Sequence, residues 1–146
     1  MNISVQGLRT SVADWEAVRN LPADQLPALT AEQQQVAEKM GIKQEEYARS
    51  ALAGRRTGEK LLQKTERFAR WLQSSLRDKA VGAEIGTLVL NTWDGKYEVA
   101  IRGEGSPVFF KVDEDLVDSL FEGGSREARE RLDRIIDLVL GAGVER

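Results

Sequence analysis

The spacing of apolar residues changes near residue 82, and this change limits the possible folds more than any other feature of the chain. Before it, the segment of about 58–79 has apolar residues at intervals of three and four, as expected for one stripe along a helix. These residues are Leu61, Leu62, Phe68, Ala69, Leu72 and Leu76. After it, apolar and polar residues alternate in EIGTLVLNTWDGKYEVAIRG, which indicates strands. Because helices precede the strands and others follow them, the sequence predicts an α+β fold.

The dipeptide Asp94-Gly95 predicts the turn of a β-hairpin, because such a pair readily adopts the positive φ angles of a two-residue turn. With that turn, Leu90 pairs with Val99. One face of the hairpin is then apolar, and its residues are Leu88, Leu90, Thr92, Tyr97, Val99 and Ile101. A third strand over 108–112 completes an antiparallel meander of three strands, which must pack on helices to be stable.

Patterns that cap helices locate most of the helical segments. A Ser or Thr three residues before an acidic or amide side chain marks the first two starts, at Ser11 and Thr30. Gly41 ends the second helix in the left-handed conformation. Asp113 and Ser125 begin two helices after the strands. The predicted helices span about 12–20, 31–40, 44–53 and 58–79, with a short helix after Asp113 and a last helix after Ser125.

Gly54 and Gly58 interrupt the helical pattern between the third and fourth of these segments. Each glycine costs about 1 kcal/mol relative to alanine in a helix interior, so a break or bend is expected there. The whole chain is predicted to form a single α+β domain over 1–146. Its helical part covers about 11–80, and the sheet with the C-terminal helices covers about 81–146.

Histidine and cysteine are absent from the sequence. Their absence excludes catalysis by Ser-His-Asp or Cys-His arrangements, thiol chemistry, and metal sites built from imidazole or thiolate. Carboxylates, Lys, Tyr, Ser and Thr remain, and no acid/base pair among them has a spacing typical of an active site. We therefore expect a protein that is not an enzyme and that has no cofactor and no metal.

Two weaker motifs resemble ligand sites. The carboxylates Asp113, Glu114, Asp115 and Asp118 could gather around a hard cation, but the helix dipole stabilises acids in a first turn without any ion. The segment Gly103-Glu104-Gly105-Ser106 has the composition of a phosphate-binding loop. It lacks the P-loop lysine and lies between two strands, which favours a hairpin loop.

Charge is unevenly distributed along the chain, although the net charge is only −3. Residues 39–80 are net basic, whereas residues 1–38 and 81–146 are both net acidic. Six basic residues are candidates for contacts with nucleic-acid phosphates: Arg49, Arg55, Arg56, Lys60, Lys64 and Arg67. A second interpretation is that these cations lie on a solvated helix face or opposite the acidic C-terminal half.

The segment QQVAEKMGIKQEEYARSAL resembles the spacing of a helix-turn-helix over about 31–53. The residues that carry the resemblance are Ala37, Gly41, Ile42 and Tyr47. A small residue allows close approach of the helices, glycine accepts the turn conformation, and the other two fill the angle between the helices. The second helix begins Gln44-Glu45-Glu46, and its carboxylates would face phosphates in a DNA complex. The same pattern fits a helical hairpin with a structural or protein-contact role, so both alternatives stay open.

Trp71 lies off the centre of the apolar stripe of its helix, and Trp93 lies on the second face of the hairpin. Exposed aromatic surface of this kind usually marks an interface, so both residues are predicted to take part in self-association. The leading hypothesis is a regulatory protein that acts through protein contacts as a homodimer, and the alternative is a nucleic-acid-binding regulator. No signal-peptide pattern and no apolar run long enough for a membrane span is found, so a cytoplasmic location without membrane contact is expected.

Overall fold

The computed structural model describes residues 1–7, 9–80, 82–103 and 105–144. Within these ranges the chain forms five α-helices and one four-stranded sheet, so the predicted α+β class is confirmed. In chain order the elements are β1 (Asn2–Gln6), α1 (Val12–Arg19), α2 (Ala31–Met40), α3 (Gln44–Lys79), β2 (Glu84–Asn91), β3 (Lys96–Arg102), β4 (Val108–Asp113), α4 (Glu114–Phe121) and α5 (Arg126–Val144). None of the helices within those ranges is long and apolar enough to cross a membrane.

Two compact units divide the chain. The sheet unit comprises residues 1–7 and 61–146, and it contains the whole sheet together with α4 and α5. The helical unit comprises residues 8–60 and contains α1 and α2. Among the described residues of the helical unit, the buried apolar ones are Val18, Ala37, Ala48 and Ala53. Because most of these side chains are small, polar contacts contribute a larger share of the stability of this unit than of a unit with a large apolar core.

The sheet has the order β1-β2-β3-β4, with β1 parallel to β2 and the other neighbours antiparallel. The predicted meander of β2, β3 and β4 is confirmed, but the prediction of only three strands is wrong. Ile3 pairs with Leu88 and Val5 with Leu90 in the missed strand. The alternation of Ile3 and Val5 with polar residues is a strand signal, but it covers five residues, and a parallel partner from a distant segment leaves no local pattern.

The turn of the β2–β3 hairpin is longer than predicted. Leu90 pairs with Tyr97 instead of Val99, and residues 92–95 form the turn. The Gly95 N–H donates to the Asn91 carbonyl at 3.0 Å, and Gly95 has a φ of 66°. The observed register differs from the predicted one by two residues. Because side chains alternate with a period of two, this shift leaves the strand residues of the predicted apolar set on the same face, whereas Thr92 lies in the turn.

The inner face of the sheet carries the apolar core of the sheet unit. Its buried strand residues are Ile85, Leu88, Leu90, Tyr97, Val99, Ile101 and Val112. Phe68 and Leu72 of α3, Val117 of α4, and Leu132 and Ile136 of α5 belong to the same buried cluster. Of the apolar stripe predicted for α3, only Leu62 is exposed. The helical and strand periodicities therefore identified the two surfaces that pack together.

Side chains cap three of the helices as predicted. Ser11, Thr30 and Ser125 each accept a hydrogen bond from a backbone N–H in the first turn of the helix that follows. Asp113 occupies the cap position of α4, but its side chain accepts no hydrogen bond from that helix. Its carboxylate instead lies 3.9 Å from Lys96 Nζ on the neighbouring strand. The Asp113 side chain thus lies near a cross-strand cation, a neighbour that local sequence does not show.

Helix α3 runs without interruption from Gln44 to Lys79, so the predicted break at Gly54 and Gly58 is wrong. Ala53 and Thr57 before Gly58 and Leu61 after it are buried. The packing of such side chains outweighs the modest cost of a glycine in a helix interior.

Replacing Gly58 with alanine is expected to raise the free energy of unfolding by about 0.5–1 kcal/mol. Gly58 has no positive φ, and a methyl group added there would meet nothing within 4 Å. Alanine therefore adds no clash and lowers the conformational entropy of the unfolded chain. Urea unfolding followed by circular dichroism measures the change. The control is Gly41→Ala, which must be destabilising because Gly41 has a φ of 71°. An unchanged or lowered stability of Gly58→Ala would contradict the helical conformation at this position.

Candidate functional site

The outer face of the sheet, opposite the core, is open. Every side chain on it is exposed or half-buried. The strand register arranges the central part of this face in three rows across the four strands. The rows are Asn2, Thr87, Ala100 and Phe109; Ser4, Val89, Glu98 and Lys111; and Gln6, Asn91, Lys96 and Asp113. The face is therefore a mixed surface in which β1 contributes polar residues and β4 contributes an aromatic ring.

Phe109 is the most prominent apolar group on this face, with 74% of its surface exposed. Ala100 is its direct neighbour on β3, and Val89 lies on the adjacent row of β2. Together with Thr87, Glu98 and Lys111, these residues line a shallow depression of about 510 Å³. We call Val89, Ala100 and Phe109 the Phe109 patch. An exposed aromatic ring beside two half-buried aliphatic residues forms a contiguous apolar surface, and such surfaces mark interaction sites.

The charged groups around the Phe109 patch compensate one another. Each cation on this side of the sheet lies within ion-pair distance of a carboxylate on the same or a neighbouring strand or turn. The pairs are Lys96 with Asp113, Lys111 with Glu98 and with Asp94, and Arg102 with Glu84. Because these groups are exposed, each pair contributes little to stability. The rim therefore has no excess of positive charge, because four carboxylates face three cations.

Asp14 of α1 organises a polar network inside the helical unit. Its carboxylate accepts hydrogen bonds from the hydroxyl groups of Ser11 and Thr57, both at 2.7 Å, and from Lys60 Nζ at 2.5 Å. Arg56 Nε lies 3.6 Å from the same carboxylate. The hydrogen bonds from Lys60, Thr57 and Ser11 hold the pKa of Asp14 well below its ordinary value of 3.8. Two of the six predicted phosphate-binding cations therefore face a buried carboxylate.

Lys64 is paired with two carboxylates of α4 in the sheet unit. Its Nζ lies 2.5 Å from Glu114 Oε2 and 2.6 Å from Asp118 Oδ1. Burial lowers the pKa of Lys64, but the hydrogen bonds to Asp118 and Glu114 outweigh burial and raise it above 10.5. Lys64 is thus a charged residue that attaches α3 to the first turns of α4. Two members of the predicted acidic cluster serve this contact.

The other predicted phosphate-binding residues also have intramolecular contacts. Arg49 donates to the Val18 carbonyl at 3.0 Å and pairs with Glu45 at 2.7 Å. The Arg67 guanidinium lies 4.5 Å from the centre of the Phe121 ring. Arg55 is exposed and lines a cavity of about 490 Å³ in the helical unit. Nucleic-acid binding by these six residues stays a prediction, but most of their charge is compensated within the chain.

The two tryptophans of the predicted interface differ in their surroundings. Trp71 is half-buried, packs on the core and stacks on Phe68 with ring centres 6.2 Å apart. Trp93 is 75% exposed in the β2–β3 turn, and its indole lies next to Gly7. Their role in self-association remains untested. Phe109 was missed as a candidate, although the alternation of the strand places it on the opposite face from Val108, Phe110 and Val112.

Three sequence motifs remain: the helical hairpin, the acidic cluster and the segment 103–106. The helical hairpin has the expected turn, in which Ile42 N donates to the carbonyl of buried Ala37 at 3.1 Å. In the part of the chain that the structure describes, no group of three or more acidic side chains is placed to hold a metal ion. The segment 103–106 joins β3 to β4 as predicted, but Glu104 lies outside the described residues.

Comparison of the chain with protein-family models, with curated proteins and with solved structures finds no match. The function is therefore inferred from the Phe109 patch and its surroundings.

Proposed function

We propose that this chain is a non-enzymatic interaction protein that binds another protein through the Phe109 patch. The observation that carries the proposal is the exposure of Phe109, at 74%, beside Val89 and Ala100 on the open face of the sheet. An aromatic anchor surrounded by a polar rim has the composition typical of the energetic centre of a protein interface. A flat sheet face also offers a partner a preformed surface that needs little ordering on binding.

The balanced charges of the rim support a protein partner over a nucleic acid. A protein that binds nucleic acid needs cations that are free to replace the counterions of phosphates. Lys96, Arg102 and Lys111 each face a carboxylate instead. A protein surface carries both positive and negative groups, so it can be complementary to a rim in which cations and carboxylates lie side by side.

The buried carboxylates support a non-enzymatic role. Asp14 and Glu114 are held by Lys60 and Lys64, respectively. A general acid or base works best with a pKa near the operating pH, whereas the pKa of Asp14 is shifted away from neutrality. Both carboxylates thus have structural partners that account for their burial.

Site-specific photo-crosslinking in the cells that make the protein tests this proposal. A benzophenone amino acid replaces Phe109 in one variant and Leu138 of α5 in a matched control, because Leu138 is equally exposed at 73%. We expect a discrete protein adduct from position 109 whose yield is several-fold higher than from position 138. Both positions lie on the surface, so neither replacement removes a core contact.

Two outcomes would overturn the proposal. One is an equal or absent protein adduct at position 109, which would mean that the patch is not a contact surface. The other is an adduct that nuclease digestion removes, which would favour the nucleic-acid alternative. Repeating the irradiation in cell lysates of increasing salt concentration separates these cases further, because binding to phosphates weakens steeply with salt.

A further inference from the structure

The outer edge of β4 carries backbone groups that point away from the sheet. The Glu114 N–H donates to the Gly95 carbonyl at 2.9 Å, which continues the ladder between β4 and β3. In an antiparallel pair, successive residues direct their N–H and C=O groups to alternate sides. Since Glu114 bonds to β3, Val112 and Phe110 also direct their backbone groups to β3. Phe109 and Lys111 lie between these residues and therefore direct theirs to the open edge. In the described part of the chain no strand pairs with this edge.

The sequence of β4 is complementary to itself in one antiparallel register. Residues directly opposite each other lie on the same face of a sheet. If Phe110 lies opposite Phe110 of a second copy, Phe109 lies opposite Lys111 of that copy, and the reverse pair forms by symmetry. The backbone groups of these two pairs are the ones that point to the open edge. The rings of Phe109 can then each lie against a Lys111 ammonium, which is a favourable cation–π arrangement.

We propose that the partner that contacts Phe109 is a second copy of this chain, joined by antiparallel β4–β4 pairing centred on Phe110. The proposal rests on the proposed function and names the partner of Phe109, the member of the Phe109 patch that lies on the edge strand. The dimer continues the sheet across a two-fold axis from four strands to eight. It also brings both Phe109 rings to the centre of one continuous outer face, where they are no longer isolated in solvent.

Lys111 selects this register over its nearest alternative. A shift by two residues centres the pairing on Lys111, and the two Lys111 ammonium groups then lie directly opposite each other. Like charges in that position are destabilising. In the register centred on Phe110, each lysine faces an aromatic ring instead. A shift of two residues in the opposite direction centres the pairing on Phe109 and places Lys111 opposite Pro107, which has no N–H, so that register lacks a backbone hydrogen bond at each end.

Single-cysteine variants test the register directly, because the chain has no other cysteine. In the proposed dimer, Phe110 lies opposite Phe110 of the second copy, and no backbone hydrogen bond joins these two residues. The two Cα atoms of such a pair lie about 4.5 Å apart, which is within the range that a disulfide bridges. We expect Phe110→Cys to form a covalent dimer under mild oxidation. Leu138→Cys is the matched control, because Leu138 is exposed but lies outside the proposed pairing, and it is expected to stay largely monomeric.

A pair of charge variants at Phe109 provides a second test that does not touch the core. Phe109→Glu places a carboxylate opposite Lys111 of the second copy, whereas Phe109→Lys places an ammonium there. Both changes remove the same aromatic ring, so a general loss of apolar surface would weaken the dimer equally. We expect the dimer dissociation constant of Phe109→Lys, measured by sedimentation, to exceed that of Phe109→Glu at least about tenfold.

The outcomes separate this inference from the proposed function. A disulfide dimer at position 110, together with the Glu–Lys difference at position 109, supports the β4–β4 pairing. A wild-type protein that stays monomeric at all concentrations overturns it, and so does equal cross-linking of the Phe110→Cys and Leu138→Cys variants. In both of those cases a photo-adduct between position 109 and a different protein would leave the proposed function standing.

Discussion

Replacing Phe68 with alanine will lower the free energy of unfolding by about 3–5 kcal/mol. Phe68 of α3 is fully buried, and its ring lies 4.9 Å from that of Tyr97 and 6.2 Å from that of Trp71, measured between centres. The truncation removes a large apolar side chain from the centre of the sheet unit and leaves a cavity that neighbouring rings fill only in part. Since domains of this size are stable by about 5–15 kcal/mol, this loss is a large share of the total.

Urea unfolding followed by far-UV circular dichroism measures this effect. Phe109→Ala is the matched control, because it removes the same ring from an exposed position and is expected to change the stability by no more than about 0.5 kcal/mol. Phe68→Leu keeps most of the volume and should fall in between. If Phe68→Ala and Phe109→Ala had similar stabilities, α3 would not pack on the inner face of the sheet as described.

Replacing Asp14 with asparagine will loosen α1 in the helical unit. The Asp14 carboxylate uses one oxygen for Ser11 and Thr57 and the other for Lys60. An amide offers only one acceptor oxygen, so either the hydroxyl groups or the ammonium must face an N–H₂ group. The helical unit has little apolar core to compensate, because its buried apolar residues are mostly alanines.

Hydrogen exchange measures this loss residue by residue. We expect the amides of α1 to exchange at least about tenfold faster in Asp14→Asn, while amides of the sheet are unchanged. Asp24→Asn is the control, since Asp24 is an exposed residue of the connector between α1 and α2. Unchanged protection of α1 in Asp14→Asn would show that the network does not hold this helix.

The same residue makes the stability of α1 depend on pH. Because the folded-state pKa of Asp14 lies below its unfolded-state value, the network contributes its full stabilisation above pH about 4. That stabilisation is lost as the pH falls further and the carboxyl takes up a proton. In Asp14→Asn this acid dependence should be reduced, and a protection profile that is as steep as that of the wild type would assign the effect to other carboxyls.

The candidate surface was only partly accessible from the sequence. The alternation in β4 assigns Phe109 to one face and Phe110 to the other, but it does not say which face packs on helices. The apolar neighbours of Phe110 on β3, Val99 and Ile101, settle that choice in the folded sheet. The sequence pattern favoured Trp71 and Trp93 as interface residues instead, but Trp71 packs on the core.

The basic series illustrates a second limit of sequence reasoning. Lys60 and Lys64 share a helical face and suggest a phosphate-binding surface. In the structure, Lys60 faces Asp14, which is 46 residues away in the chain, and Lys64 faces Glu114, which is 50 residues away. No local sequence pattern indicates partners so far away in the chain. The sequence therefore could not show which of the basic residues are paired with carboxylates.

Most local signals in this chain were reliable, and the exceptions are the length of the turn at Asp94-Gly95 and the side-chain cap at Asp113. Ser11, Thr30 and Ser125 cap helices as predicted. The alternation along the strands places Leu88, Leu90 and Tyr97 on the buried face, even though the turn is longer than expected. Caps, turns and periodicity depend on residues a few positions apart, and their energies do not require the rest of the fold.

Long-range packing settled the remaining features. It keeps α3 continuous through Gly54 and Gly58, pairs β1 with β2 in parallel, and leaves the edge of β4 open. Each of these outcomes depends on contacts between segments that are distant in the chain. Their energies exceed the roughly 1 kcal/mol preferences that local sequence expresses, so tertiary contacts prevail where the two conflict.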